Sequence, residues 1–103
     1  MAKIIFQGFN DSNNKMILNG SKRRVLSSQN IIPEIDNERG LIEFTIGKSP
    51  VGAEYQAKTI KMIMDEFVTQ NCMGSFMSRC YLSRDYVLEE FVEIIENDEI
   101  LEF

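Results

Sequence analysis

The sequence predicts a single α+β domain. An antiparallel β-meander of four or five short strands is packed against a long helix and followed by a further strand and a second, acidic amphipathic helix. Apolar side chains recur at helical period over residues 50–71 and again over residues 86–97. Before residue 47, short runs of alternating apolar and polar side chains are separated by turn-forming residues. The length of 103 residues suits one domain with its own core.

Residues 50–71 give the clearest helical pattern in the chain. On a helical wheel with Ala53 as the reference, one apolar stripe lies within about 80° of that residue. Ser49 is the expected N-cap, Pro50 the first helical residue, and Gly74 the residue that ends the helix in a left-handed conformation. The stripe consists of Ala57, Ile60, Ile63, Met64, Phe67 and Val68. We therefore expect a helix about 33 Å long that crosses one face of the sheet.

The first strands are predicted on either side of an Asn-Gly turn. Residues 3–9 alternate as a strand, and a second strand is expected at residues 15–18. Asn19 and Gly20 follow, and this dipeptide is the strongest short signal for a hairpin. The returning strand would then occupy residues 22–26.

Two further strands are predicted before the long helix. Residues 31–35 form a weaker one, which Pro33 restricts to the edge of a sheet or to an irregular connection. Residues 36–40 are a turn, and residues 41–46 are a clear strand with every second side chain apolar. These strands complete the predicted meander.

The remaining elements follow the long helix. A strand is expected at residues 76–82, and Ser83 or Asp85 then caps a helix that ends near residue 97. Residues 99–103 alternate acidic and apolar side chains and are a candidate edge strand. This order of elements is typical of an α+β domain.

The composition excludes several classes of site. The chain has no histidine, which removes Ser-His-Asp and Cys-His nucleophiles and histidine metal ligands. Its two cysteines, Cys72 and Cys80, cannot supply a four-ligand zinc site alone, and we expect buried free thiols. We therefore predict no catalytic residue, no metal and no cofactor, and an enzyme is the last-ranked class.

Membrane insertion and secretion are not expected either. No run approaches the roughly 18 apolar residues that a membrane span requires. The N-terminal apolar run is short and lacks the pattern of a signal peptide. The expected location is the cytoplasm.

Acidic side chains are concentrated at the end of the chain. Residues 85–103 carry eight of the 16 acidic side chains and none of the 11 basic ones, although the net charge is only −5. Neighbouring glutamates in a helix repel each other by about 0.2–0.5 kcal/mol per pair. Four of them share the side of the second helix opposite its apolar arc, and we call them the acidic ridge: Glu89, Glu90, Glu93 and Glu96.

We predict that the acidic ridge binds a basic surface of a partner protein. The alternative is a solvated face that maintains solubility, aided by pairing with basic residues of the same chain. The candidates for such pairing are Lys22, Arg23 and Arg24, which we expect at the tip of the Asn-Gly hairpin. This basic patch is short and has no aromatic neighbour, so direct binding of nucleic acid is disfavoured.

Tyr55 and Met62 form a second candidate contact. They lie seven residues apart on the side of the long helix opposite its apolar stripe, among polar side chains. Two apolar residues in that position indicate a protein contact or a homodimer seam. Single exposed apolar residues are also normal on protein surfaces, and that reading stays open.

Residues 47–49, Gly-Lys-Ser, invite comparison with a phosphate-binding loop. That motif requires four residues between its two glycines, whereas Gly40 and Gly47 enclose six. The intervening residues are the best strand of the sequence. An ordinary turn before the long helix is therefore predicted.

The leading prediction of function is a small acidic non-enzymatic module that binds another protein. A concrete form is an inhibitor or immunity-type protein that covers a basic, nucleic-acid-binding surface of its partner, as accessory proteins of viruses and mobile elements do. The first alternative is a self-associating structural or regulatory protein, in which the basic hairpin of one copy meets the acidic helix of the next. A nucleic-acid-binding protein that uses Lys22, Arg23 and Arg24 is the second alternative.

Overall fold

A computed structural model of the protein describes residues 1–7, 18–71 and 87–102. Within these ranges the chain forms four strands and three helices, which confirms the α+β class. In chain order they are β1 (Ala2–Gln7), α1 (Gly20–Ser28), β2 (Ile31–Asp36), β3 (Leu41–Ile46), α2 (Gly52–Asn71), α3 (Leu88–Asn97) and β4 (Ile100–Glu102).

The four strands form one mixed sheet in the order β2-β3-β1-β4. β3 is antiparallel to both β1 and β2, whereas β4 is parallel to β1. The predicted antiparallel meander is therefore wrong in strand order, and the tail strand, for which no direction was predicted, makes the sheet mixed. The chain leaves α3 beside the start of β1, where the Lys3 amide donates to the Glu99 carbonyl at 3.1 Å. From that point β4 runs in the direction of β1.

One face of the sheet is buried, as the alternation of side chains predicted. Phe6 of β1 packs edge-on against Phe44 of β3, with ring centroids 6.1 Å apart. Phe6 also packs edge-on against Phe91 of α3, with ring centroids 5.9 Å apart. The predicted stripe of α2 is buried at five positions: Ala57, Ile60, Ile63, Met64 and Phe67. The side chain of Val68 lies outside the described part. These contacts place the sheet, α2 and α3 around one core.

The predicted Asn-Gly hairpin is wrong, because this region forms helix α1. The side chain of Asn19 accepts a hydrogen bond from the Lys22 amide at 2.9 Å and so acts as the N-cap. Asparagine favours both hairpin turns and helix N-caps, and here the cap is formed. Leu26 is the buried residue of α1 and holds the helix on the core. Of the strand expected at residues 15–18, only Leu18 lies in the described part, and it is buried.

Helix α2 begins two residues later than predicted. The Ser49 hydroxyl accepts from the Val51 amide at 3.3 Å, and the Ser49 carbonyl accepts from the Gly52 amide at 3.2 Å. Gly52 has φ +82°, a left-handed conformation that glycine adopts without strain. Residues 49–52 therefore form a turn, and the helix starts at its end.

Both predicted edge strands are confirmed. Pro33 lies in β2, which among the described strands pairs with β3 alone, so its missing N–H breaks no ladder there. The tail supplies β4 at the opposite edge. The predicted cap of the second helix is wrong, because α3 begins at Leu88 with Val87 as its N-cap and without a capping hydrogen bond from a side chain. Neither Ser83 nor Asp85 therefore holds the N-cap position. The strand expected at residues 76–82 lies outside the described ranges, as do Gly74 and both cysteines.

Among the helices that the structure describes, none combines the length and the apolar content that a membrane span needs.

Candidate functional site

The acidic ridge lies on the outer side of α3. Glu89, Glu90, Glu93 and Glu96 are all exposed, while Phe91 and Ile94 of the same helix are buried. Within the described part of the chain, none of the four glutamates forms an ion pair. The arrangement leaves four like charges directed to solvent.

Three of these glutamates border a shallow groove between α3 and the first turn of α2. Its volume is about 390 Å³. Two of its lining side chains, Leu88 and Val92, are apolar and half-buried, and we call them the floor of the groove. The other lining residues are exposed carboxylates, which we call the rim: Glu54 from α2 and Glu89, Glu93 and Glu96 from α3. We call this site the acidic groove. Glu90 is not part of its lining, so the structure divides the predicted ridge into groove residues and one glutamate outside the groove.

The groove combines an apolar surface with closely spaced negative charge. Glutamates three or four residues apart have Cβ atoms about 5–6 Å apart, so their fields add at the rim. Glu54 forms an ion pair with Lys58 at 3.2 Å, but both side chains are exposed, and such pairs are weak. The site is suited to an apolar side chain flanked by cations.

Sequence reasoning assigned Leu88 and Val92 only to the core and did not include Glu54. Val92 lies about 40° from Glu96 on the helical wheel, at the border between apolar and acidic sides. That border position was the feature of the sequence from which a role of Val92 in the groove could have been inferred. The contribution of Glu54 to the groove depends on how closely the start of α2 approaches α3. A helical wheel, which describes one helix alone, does not show that distance.

Tyr55 and Met62 are exposed, as predicted, with 56% and 61% of their surfaces accessible. Neither lines the acidic groove, so the structure does not unite the two predicted binding sets. Met62 instead borders a separate depression of about 120 Å³, together with Val25 and Lys22 of α1. This approach of α1 to α2 is not evident from the sequence, in which residues 22–26 were expected to form a strand.

The basic patch lies on helix α1 and not on a hairpin tip. Lys22 forms an ion pair with Glu66 of α2 at 2.9 Å, and the Arg23 Nε donates to the Leu18 carbonyl at 3.2 Å. Arg24 is exposed, and within the described residues it has no polar contact. The suggested pairing of this patch with the acidic ridge is therefore not formed within the described part of the chain.

A larger cavity of about 500 Å³ lies where β3 ends, α2 begins and α3 ends. Apolar walls come from Ile46, Ala53 and Ile95, and polar side chains come from Lys48, Gln56 and Glu96, among others. We call it the end cavity. Glu96 lines both this cavity and the acidic groove.

A cluster of buried polar side chains adjoins the end cavity. Gln56 is only 2% exposed, and its side-chain Nε2 donates to the carbonyls of Gln29 and Gly47 at 2.7 and 2.8 Å. The hydroxyl of Thr59 donates to the Gln29 side-chain oxygen at 2.8 Å. Sequence reasoning missed Gln56, although it falls about 60° from Ala53 and so within the buried arc of α2.

Among the described residues, no group of three or more carboxylates or cysteines is placed to hold a metal ion. Comparison of the chain with protein-family models, with curated proteins and with solved structures finds no match.

Proposed function

We propose that this protein is a small acidic non-enzymatic module that binds a basic surface of a partner protein through its acidic groove. One observation carries the proposal: the apolar floor of Leu88 and Val92 lies inside a rim of carboxylates from Glu54, Glu89, Glu93 and Glu96. A face that served only for solubility would need the carboxylates and not the partly exposed floor.

The two components of the groove have different physical roles. Burial of apolar surface contributes about 25 cal/mol per Å², so Leu88 and Val92 would supply affinity. The carboxylates would accelerate encounter with a positive surface and fix its register. The expected binding element is an aliphatic side chain flanked by lysine or arginine residues.

The proposed biological form is an inhibitor or immunity-type protein, of the kind encoded by viruses and mobile elements. Glu89, Glu93 and Glu96 would stand in for phosphate groups on a partner that otherwise binds nucleic acid. This form is supported by the concentration of acidic side chains, without basic ones, in residues 85–103. The cytoplasm is the proposed location.

Affinity capture from a nuclease-treated lysate of the natural source tests the proposal. Wild type is compared with a groove variant, Glu89→Gln/Glu93→Gln/Glu96→Gln. The control, Glu38→Gln/Glu90→Gln/Glu102→Gln, removes three exposed carboxylates outside the groove and changes net charge equally. We expect one basic protein to be retained by wild type and control, and to be lost from the groove variant and in high salt.

Two results would contradict the proposal. Equal loss from both variants would mean that overall charge, and not the groove, retains the protein. Recovery of the chain alone would favour self-association, in which the exposed Arg24 of one copy could meet the acidic ridge of another.

A further inference from the structure

Gln56, which lines the end cavity, carries a buried side-chain hydrogen-bond acceptor that no described residue satisfies. Both N–H groups of the Gln56 side chain are directed to carbonyls, those of Gln29 and Gly47. This fixes the amide, because the reversed orientation would place its oxygen against two carbonyl oxygens. Gln56 Oε1 is thus the free polar atom, and within the described part of the chain it accepts no hydrogen bond. A buried unsatisfied acceptor is costly and is expected to have a partner.

Two unpaired charges of opposite sign line the same cavity. Lys48 and Glu96 are exposed, and neither forms an ion pair with a described residue. The other carboxylate of the lining, Asp98, is paired with the Met1 ammonium. The lining is therefore balanced in charge, which disfavours a ligand with a large net charge and favours one that carries both signs.

The size and the walls of the cavity limit the ligand further. A volume of about 500 Å³ lies within the range of roughly 300–1,000 Å³ that is typical of small-molecule sites. Ile46, Ala53 and Ile95 present apolar surface beside the polar groups. A small molecule with one apolar portion and two charged groups matches this lining.

We propose that the end cavity binds a free α-amino acid with an apolar side chain. Its ammonium group donates to Gln56 Oε1 and is neutralised by Glu96, while its carboxylate pairs with Lys48. Its side chain packs against Ile46, Ala53 and Ile95. Recognition of both charged groups distinguishes this ligand from a simple amine or a simple acid. The proposal does not rest on partner binding by the acidic groove.

The test is an NMR titration of the full chain with free alanine, leucine, methionine and phenylalanine. We expect saturable shifts at the Gln56 side-chain amide and at Gly47 and Ala53 for at least one of them. Two derivatives of the best ligand are compared with it: the N-acetyl form, which lacks the ammonium, and the amide, which lacks the carboxylate. Each derivative should bind at least about tenfold more weakly, because each loses one charged contact.

Single substitutions in the protein should each abolish one of these differences in affinity between the free amino acid and its derivatives. Glu96→Gln should abolish the preference for the free amino acid over its N-acetyl form. Lys48→Met should abolish the preference over the amide. Lys58→Met removes an exposed lysine of α2 outside the cavity and should change neither preference. Gln56→Met should weaken binding of the best amino acid at least tenfold. If this variant fails to fold, Glu96→Gln and Lys48→Met still test the proposal.

Absence of saturable shifts with all four amino acids would overturn the proposal. So would equal binding of the free amino acid and both derivatives, because the charged groups would then have no part in recognition. Preferences that persist in Glu96→Gln and Lys48→Met would likewise place the ligand elsewhere.

Discussion

The side-chain Nε2 of Gln56 donates a hydrogen bond to the main-chain carbonyl of Gln29 at 2.7 Å, and both residues are buried. This contact joins α2 to the end of α1. The second bond of Gln56, to the Gly47 carbonyl, adds the end of β3. One side chain thus connects three elements that are separate in the sequence, and it holds the wall of the end cavity in place.

Replacement of this side chain should therefore destabilise the fold. Gln56→Leu keeps the apolar volume but leaves the carbonyls of Gln29 and Gly47 without their donor. We expect the free energy of unfolding, measured by urea denaturation, to fall by about 2 kcal/mol. Lys58→Leu, at an exposed position of the same helix, should change it by less than about 0.5 kcal/mol. Similar values for the two variants would show that the buried bonds do not matter for stability.

Gly47 should be sensitive to a single added methyl group. A Cβ at Gly47 would overlap the side-chain amide of Asn30, whose Nδ2 donates to the Lys48 carbonyl at 2.9 Å. We expect Gly47→Ala to cost about 1–2 kcal/mol in the wild-type background. In an Asn30→Gly background the clash is absent, and the left-handed φ of 58° at residue 30 suits glycine. The cost of Gly47→Ala should then fall below about 0.5 kcal/mol, and additive effects would contradict the predicted coupling.

Substitutions at the start of α1 distinguish the helix from a hairpin by the sign of their effects. Asn19→Ala removes the N-cap and should cost about 1 kcal/mol. Gly20→Ala places a methyl group in open space at the first helical residue and should stabilise the protein by about 0.5 kcal/mol. In a two-residue hairpin turn the same change would destabilise, because that turn needs positive φ at Gly20. The midpoint temperatures of thermal unfolding of wild type and the two variants distinguish the helix from the hairpin.

Lys3 should titrate at unusually high pH. Its Nζ lies 2.8 Å from a carboxylate oxygen of Glu43, and this hydrogen bond, aided by the charge of Glu43, raises the pKa of Lys3 above 10.5. Since the folded-state pKa is raised, the stability from this pair is present below about pH 10.5. It is lost as the pH rises through the raised value. NMR titration should show a lower pKa for Lys3 in Glu43→Gln than in wild type, and an unchanged pKa would contradict the pairing.

Local patterns identified β1, β2, β3 and the long helix α2, but residues 22–26, predicted as the returning strand of a hairpin, belong to helix α1. β3 alternates apolar and polar residues over its whole length, and α2 repeats its apolar stripe over several turns, so the period alone identifies both. α1 has one buried apolar residue, Leu26, and one residue gives no period. Its cap residue also favours turns, so the local signal pointed to a hairpin. Strand order was wrong because pairing of β1 with β3 and β4 depends on contacts between distant parts of the chain.

The candidate sites differ in how much of each could be predicted from the sequence. The glutamates of α3 were evident because that helix carries no lysine or arginine. The floor of the groove was missed because the exposure of Leu88 and Val92 depends on the position of α2. The end cavity was not predictable, since Ile46, Gln56 and Ile95 meet there from three elements. Pairwise approach of helices and strands is the information that a single sequence lacks.

Site-specific cross-linking tests the central claim most directly, namely that the acidic groove contacts a basic protein. A photoreactive residue is placed at position 93, on the rim of the groove, and the chain is expressed in cells of its natural source. The control position is Ile32, which is exposed on an edge strand and does not line the groove. We predict a discrete adduct with a basic protein from position 93 and none from position 32. Equal adducts from both positions, or adducts only with a second copy of the chain, would contradict the proposed function.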